Sequence, residues 1–136
     1  MISFNYENDF SLPNEKKISD WISNVILSEK HSLEEINYVF CDDDYLHKLN
    51  VEFLNHDTLT DIISFDYSVG KRVQGDIFIS TERIADNAND FNVDFINELH
   101  RVVVHGVLHY CGYKDKTEED ALLMRTKENY YLKQIV

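Results

Sequence analysis

The chain of 136 residues holds one proline, four glycines and two cysteines, and each scarcity removes a class of protein. So little proline and glycine excludes collagenous, linker-like and low-complexity chains. Two cysteines, Cys41 and Cys111, are too few for a disulfide framework, and without a secretory context they are expected as reduced thiols. No run approaches the roughly 18 apolar residues of a membrane span, and the start, Met1-Ile2-Ser3-Phe4-Asn5-Tyr6, lacks the basic and apolar regions of a secretory signal. A cytoplasmic protein with no membrane partner is the expectation. Basic residues are also few: 13 Lys and Arg stand against 25 Asp and Glu, for a formal charge of −12. Such a field repels polyanions and argues against broad, non-specific attachment to nucleic acid, DNA included. The deficit is uneven, because residues 1–100 carry a net −13 and residues 101–136 a net +1. The last quarter is the surface least hostile to an anion.

What is present is a chain of ordinary globular composition, 43% hydrophobic and 12% aromatic, long enough for one core. Ile2, Phe4 and Tyr6 alternate with polar neighbours, as in a half-buried strand. Pro13 opens a stretch in which Ile18, Trp21, Ile22, Val25 and Ile26 recur at helical spacing, predicting an amphipathic helix from Pro13 to near Lys30. Glu35 to Cys41 alternates again, and Asp42-Asp43-Asp44 suits the start of a helix bearing Tyr45, Leu46, Leu49 and Phe53. A second cation site at these three acids is the less economical reading. Asp61–Tyr67 and Val73–Ile79 predict two strands joined by a short loop. Ser80 starts a helix, Asp94 caps another running to Gly112, and a last helix spans roughly Thr117 to Leu132. The sum is a single α+β domain over 1–136, with about four strands in a mixed sheet and about five helices.

The segment His105-Gly106-Val107-Leu108-His109-Tyr110-Cys111-Gly112-Tyr113-Lys114-Asp115 carries the chemistry. Imidazoles at i and i+4 share a helix face, about one turn apart, the spacing at which both can reach one metal ion. Gly112 can take the left-handed conformation that ends a helix, so the chain can turn back and bring Asp115 to the same ion. Two neutral imidazoles and a carboxylate leave a position for water, as in catalytic zinc sites, whereas closed structural sites use four protein ligands. The alternative is that both histidines are helix residues hydrogen-bonded in the interior and that Asp115 is a turn residue. Gly106 stands where a zincin has its glutamate base, which argues against that protease type and leaves room for a strand or a substrate backbone to approach.

This helix, read as H-G-x-L-H-x-x-G-Y with a ligand two residues on, resembles the signature of the YbeY family of bacterial metal-dependent endoribonucleases. Thr60-Asp61-Ile62-Ile63-Ser64-Phe65 resembles the family's T-D-V-L-S-F block, and Gly75-Asp76-Ile77-Phe78-Ile79-Ser80 its G-D-I-x-I-S block, with Leu49-Asn50 ahead of both. The likeness runs through residues 45–115. It implies a single-strand endoribonuclease acting in ribosomal RNA maturation and ribosome quality control, with ribosomal RNA and ribosomal particles as partners. His105, His109 and Asp115 would hold one divalent metal, zinc first, and act through its water. Asp115 stands where the family usually has a third histidine, and Leu54 where it has an arginine.

Leucine cannot clamp a phosphate, and Lys71, Arg72 or Lys114 are expected to compensate in part. Asp61, Asp76 and Glu98 are candidate general bases, each with an ordinary reading as a strand-end, turn or helix-surface acid. Tyr110, Tyr113, Tyr130 and Tyr131 could stack bases, although helix burial explains the last two equally well. His31, His47, His56 and His100 are expected as solvated or capping side chains, and Cys111 as a packed one. Two other functions stay open: a metal-dependent hydrolase of another substrate, and a ribosome-associated assembly factor in which the metal is structural.

Overall fold

A computed structural model describes residues 1–56 and 59–135 of the chain. The order of elements is β1 (Ile2–Tyr6), α1 (Glu15–Ser28), β2 (Ser32–Cys41), α2 (Asp43–Leu54), β3 (Ile62–Asp66), β4 (Arg72–Ser80), α3 (Thr81–Phe91), α4 (Phe95–Tyr110) and α5 (Glu118–Leu132). Four strands form one mixed sheet in the order β1-β2-β4-β3. β1 and β4 both run parallel to β2, and β3 runs antiparallel to β4. The expected single α+β domain, with about four strands in a mixed sheet and about five helices, is the fold observed among the described residues.

Alternation in the strands sorts their side chains between two helical layers. Ile36, Tyr38 and Phe40 of β2 and Val73, Ile77 and Ile79 of β4 are buried in the larger core with the apolar faces of α1 and α4. On the other side a smaller cluster joins Cys41, Leu46 and Ile63, with Phe65 and Phe78 against it, beneath α2. The α1 and α4 side of the sheet is buried, the α2 side is only half-covered and carries polar Ser3, Asn37 and Asp76, and the edges fall to the short strands β1 and β3. Two buried hydrogen bonds lock helices to the rest: Trp21 Nε1 donates to the Tyr131 carbonyl at 2.9 Å, and the Tyr38 hydroxyl to the Val103 carbonyl at 2.9 Å.

Two boundaries differ from the sequence expectation. Pro13 lies outside α1, because Asn14 at the N-cap sits in the left-handed region (φ 60°) and the helix starts only at Glu15. β2 begins at Ser32, three residues early, and an irregularity between Leu33 and Glu35 shifts its register against β4, which breaks the alternation there.

α4 is the element that positions the chemistry. Seven of its residues from Leu99 to Leu108 are fully or nearly fully buried hydrophobics or Gly106. At Gly106 the helix lies close against the sheet: a Cβ there would stand 3.0 Å from Ile77 Cδ1 and 3.1 Å from Ile62 Cδ1. The space left by the missing side chain is thus filled from the strands. Near the end of α4, Tyr110 is buried and its hydroxyl donates to the Phe65 carbonyl at 2.9 Å and lies 3.1 Å from that of Asp76.

Candidate metal centre

α4 ends as the sequence suggested. Gly112 has φ +102°, in the region that favours glycine, and the Tyr113 amide reaches back to the Leu108 carbonyl at 3.1 Å. The returning chain brings Asp115 to the two histidines. Nε2 of His105 and Nε2 of His109 are 2.9 Å apart, and Asp115 Oδ2 lies 3.2 Å from the first and 3.3 Å from the second.

The hydrogen bonds behind the rings decide what these atoms offer. His105 Nδ1 lies 2.7 Å from Glu128 Oε2, and His109 Nδ1 lies 3.0 Å from the Tyr113 carbonyl. A carboxylate and a carbonyl can only accept, so in the neutral rings the proton sits on Nδ1 and the lone pair on Nε2. Three acceptors then face one point, an arrangement that needs a cation or a proton between them. A tetrahedral ion with bonds of about 2.0–2.2 Å spans ligand edges of about 3.3–3.6 Å, near the separations found here. Nitrogen, nitrogen and oxygen donors also suit zinc and related divalent ions. His105, His109 and Asp115 therefore make a group able to hold a metal.

Electrostatics around His105 are dominated by carboxylates. Burial pushes its imidazole toward the neutral form, but the hydrogen bond to Glu128 and the charges of Glu128, Asp115 and Asp61 outweigh it and raise the pKa. Burial would raise the Glu128 carboxyl, yet the hydrogen bonds from His105 and Arg101 prevail and lower it. A cleft of about 250 Å³ opens beside His105 and Asp115, and Asp61, Glu98, Arg101 and Arg125 line it. Burial raises the pKa of both Asp61 and Glu98, the nearby His105 opposing this at Asp61 and the Asp61 charge adding to it at Glu98.

Of the three candidate bases, Asp61 and Glu98 thus share the cleft with His105, while Asp76 accepts from Asn37 Nδ2 at 3.1 Å and is not among the lining residues. The expected compensating cations also lie elsewhere. Arg72 pairs with Glu34 over a separate hollow, Lys71 precedes it at the far end of β4, and Lys114 is exposed without lining the cleft. Leu54 ends α2, partly exposed. Stacking fails for Tyr110 and Tyr131, which are buried, and the Tyr113 hydroxyl donates to Glu29 at 2.6 Å; Tyr130 alone of the four is well exposed. His100 is packed on Trp21 with ring centroids 5.8 Å apart, not solvated or capping. Asp42 caps α2 by accepting from the Tyr45 amide at 2.9 Å. Both cysteines are free thiols, pushed up to about 12 by burial.

Sequence reading passed over Glu128 and the two arginines. A signal existed: Glu128 falls on the α5 face that carries Met124, Tyr131 and Leu132, and a carboxylate on an apolar helix face demands a partner.

A family model described as Endoribonuclease YbeY matches residues 3–136. The chain belongs to the YbeY endoribonuclease family. A relative from Flavobacterium johnsoniae named Endoribonuclease YbeY is 67% identical over 129 residues, covering 95% of this chain and 93% of that protein. Another of the same name from Flavobacterium psychrophilum is 62% identical over 133 residues, covering 98% and 95%. The solution structure of TM1509 from Thermotoga maritima superposes with a TM-score of 0.72 at 25% identity, over 99% of this chain and 89% of the other. The YbeY resemblance of residues 45–115 therefore extends over residues 3–136. As a YbeY protein, the chain is an endoribonuclease, a hydrolase of RNA phosphodiester bonds.

Proposed function

We propose that this nuclease cuts single-stranded ribosomal RNA, in its maturation and in the quality control of ribosomal particles in the cytoplasm, through a divalent ion, zinc first, held by His105, His109 and Asp115. One observation carries the assignment of the residues: two Nε2 lone pairs and a carboxylate oxygen converge within 3.3 Å of one another. When bound, such an ion supplies a water of lowered pKa and polarises a phosphoryl oxygen.

The protein's own groups do the rest. Glu128 and the Tyr113 carbonyl hold the Nδ1 protons, so neither imidazole can rotate its lone pair away without losing a hydrogen bond. Asp115 brings negative charge to the exposed side of the pair. Val102 and Ile62 form the apolar part of the cleft wall, which limits water around the reacting group. Asp61 and Glu98, whose affinity for protons burial raises, stand in the same cleft as acceptors for a proton released there.

The test is cleavage of single-stranded ribosomal RNA by the purified protein, with and without a chelator, beside the His109→Ala variant. Cutting that the chelator abolishes and that His109→Ala lacks is the expected result. Intact RNA with metal-loaded parent protein overturns the reading, and a fall in melting temperature on chelation would then assign the ion to the fold.

A further inference from the structure

We propose that Arg125 is a substrate-binding residue, its guanidinium taking the phosphodiester next to the one at His105, His109 and Asp115 when single-stranded RNA lies in the cleft. This rests on the hydrolytic reading above and adds a subsite to it.

Among the described residues two arginines line the cleft, and they differ in how far they are engaged. Arg101 is committed: Nη1 donates to Glu128 Oε1 at 2.9 Å, Nη2 to Asn129 Oδ1 at 2.8 Å, and its side chain is 18% exposed. Arg125 reaches Glu128 Oε1 only at 3.8 Å and is 56% exposed. That separation is beyond hydrogen-bonding range. Glu128 does not need it either, because Arg101 and His105 already satisfy its two oxygens. A helix-surface ion pair so loose contributes little to stability, so the placement of Arg125 calls for another reason.

Position supplies one. Arg125 lines the cleft and also an adjoining hollow of about 190 Å³ that it shares with His105, Asp115 and Met124. It therefore borders both recesses that meet at the ligand group. Glu128 measures its distance from the chemistry: one oxygen holds His105, and the other faces the guanidinium. Arg125 thus faces the Glu128 oxygen that His105 does not use, so it lies beside the ligand group without being one of its members, where a neighbouring phosphate can reach it. In a chain of net charge −12, whose last 36 residues alone are net positive, an exposed guanidinium in the cleft is what a polyanion can use. Its planar fork also matches two phosphate oxygens at once.

The experiment measures binding of a short fluorescein-labelled single-stranded RNA to metal-depleted protein, so that the RNA stays intact, across a salt series. Cleavage by the metal-loaded protein is followed in parallel. Arg125→Gln is expected to weaken binding about 10-fold and to reduce the salt slope by about 0.7, one single-strand phosphate contact, with a KM raised more than kcat is lowered. Arg125→Lys, which keeps the charge and loses the fork, should fall between. Circular dichroism of each variant confirms folding. Affinity and salt slope equal to the parent's in Arg125→Gln overturn the proposal and leave the hydrolytic reading standing. Weakened binding in the variant, with a parent that never cuts RNA, supports the subsite and overturns the hydrolytic reading. A parent that binds no RNA overturns both.

Discussion

Glu128 Oε2 and His105 Nδ1 lie 2.7 Å apart, although 23 residues of chain separate them. The contact joins α5 to α4, and the Glu128 side chain, only 7% exposed, also forms an ion pair with Arg101. A buried charge so placed persists only because each oxygen has a donor. The same hydrogen bond leaves His105 Nε2 bare toward His109 and Asp115. Packing of the two helices and readiness of the site for a cation are therefore one event.

Glu128→Gln is expected to weaken divalent metal binding about 10-fold or more, since the amide cannot hold the Nδ1 proton as strongly. Competition against a chromophoric chelator measures this directly. Unchanged affinity would show that His105 is oriented by its own helix packing.

Asp115→His exchanges an oxygen donor for a softer nitrogen one. The variant should keep metal binding and shift selectivity toward zinc over manganese by a few-fold. Parallel titrations with the two ions read the shift, and equal selectivity in both proteins would remove Asp115 from the ligand set.

Gly75→Ala should destabilise the fold by about 3 kcal/mol, at the upper end of overpacking costs. A Cβ at this position in β4 collides with the Tyr110 hydroxyl and comes within 2.5 Å of the Phe65 carbonyl oxygen, a backbone atom unable to give way. The midpoint of urea denaturation records the loss, and a variant as stable as the parent would contradict the close approach of α4 to the sheet.

The Asp43 carboxyl is lowered from its usual range chiefly by the hydrogen bond from the Arg83 guanidinium, against burial and with help from the Ser80 hydroxyl. A carboxyl lowered in the folded state contributes stability above its unfolded pKa of about 4 and loses it as pH falls through the folded value. Asp43→Asn should therefore cost about 1–2 kcal/mol near neutrality, with the difference from the parent shrinking steadily below pH of about 4. Denaturant midpoints on both sides of that pH give the comparison, and a constant gap would refute it.

How far the sequence could be read follows from the range of each interaction. His105, His109, Gly112 and Asp115 lie within eleven residues, and helix periodicity plus one left-handed glycine suffices to bring them together. The order of strands and helices was legible for the same reason, since alternation and helical spacing are local. The early start of β2 and the exclusion of Pro13 from α1 were not, because a register shift and a left-handed Asn14 leave no mark on hydrophobic pattern. Glu128, Arg101 and Arg125 needed the packing of α5 on α4, and the burial of Tyr110 needed the gap at Gly75. Lys71, Arg72 and Lys114 share the sign that a substitute for the family's arginine at the position of Leu54 needs, but sign says nothing about direction, and Arg72 pairs with Glu34.

The two histidines are steadied by partners of different heritability. His109 leans on a main-chain oxygen of residue 113, which every amino acid would provide, so no codon change there can erase it. His105 leans on the side chain of residue 128, and a single nucleotide could take that support away. Natural or laboratory drift should accordingly silence this protein through α5 more readily than through the turn that follows Gly112.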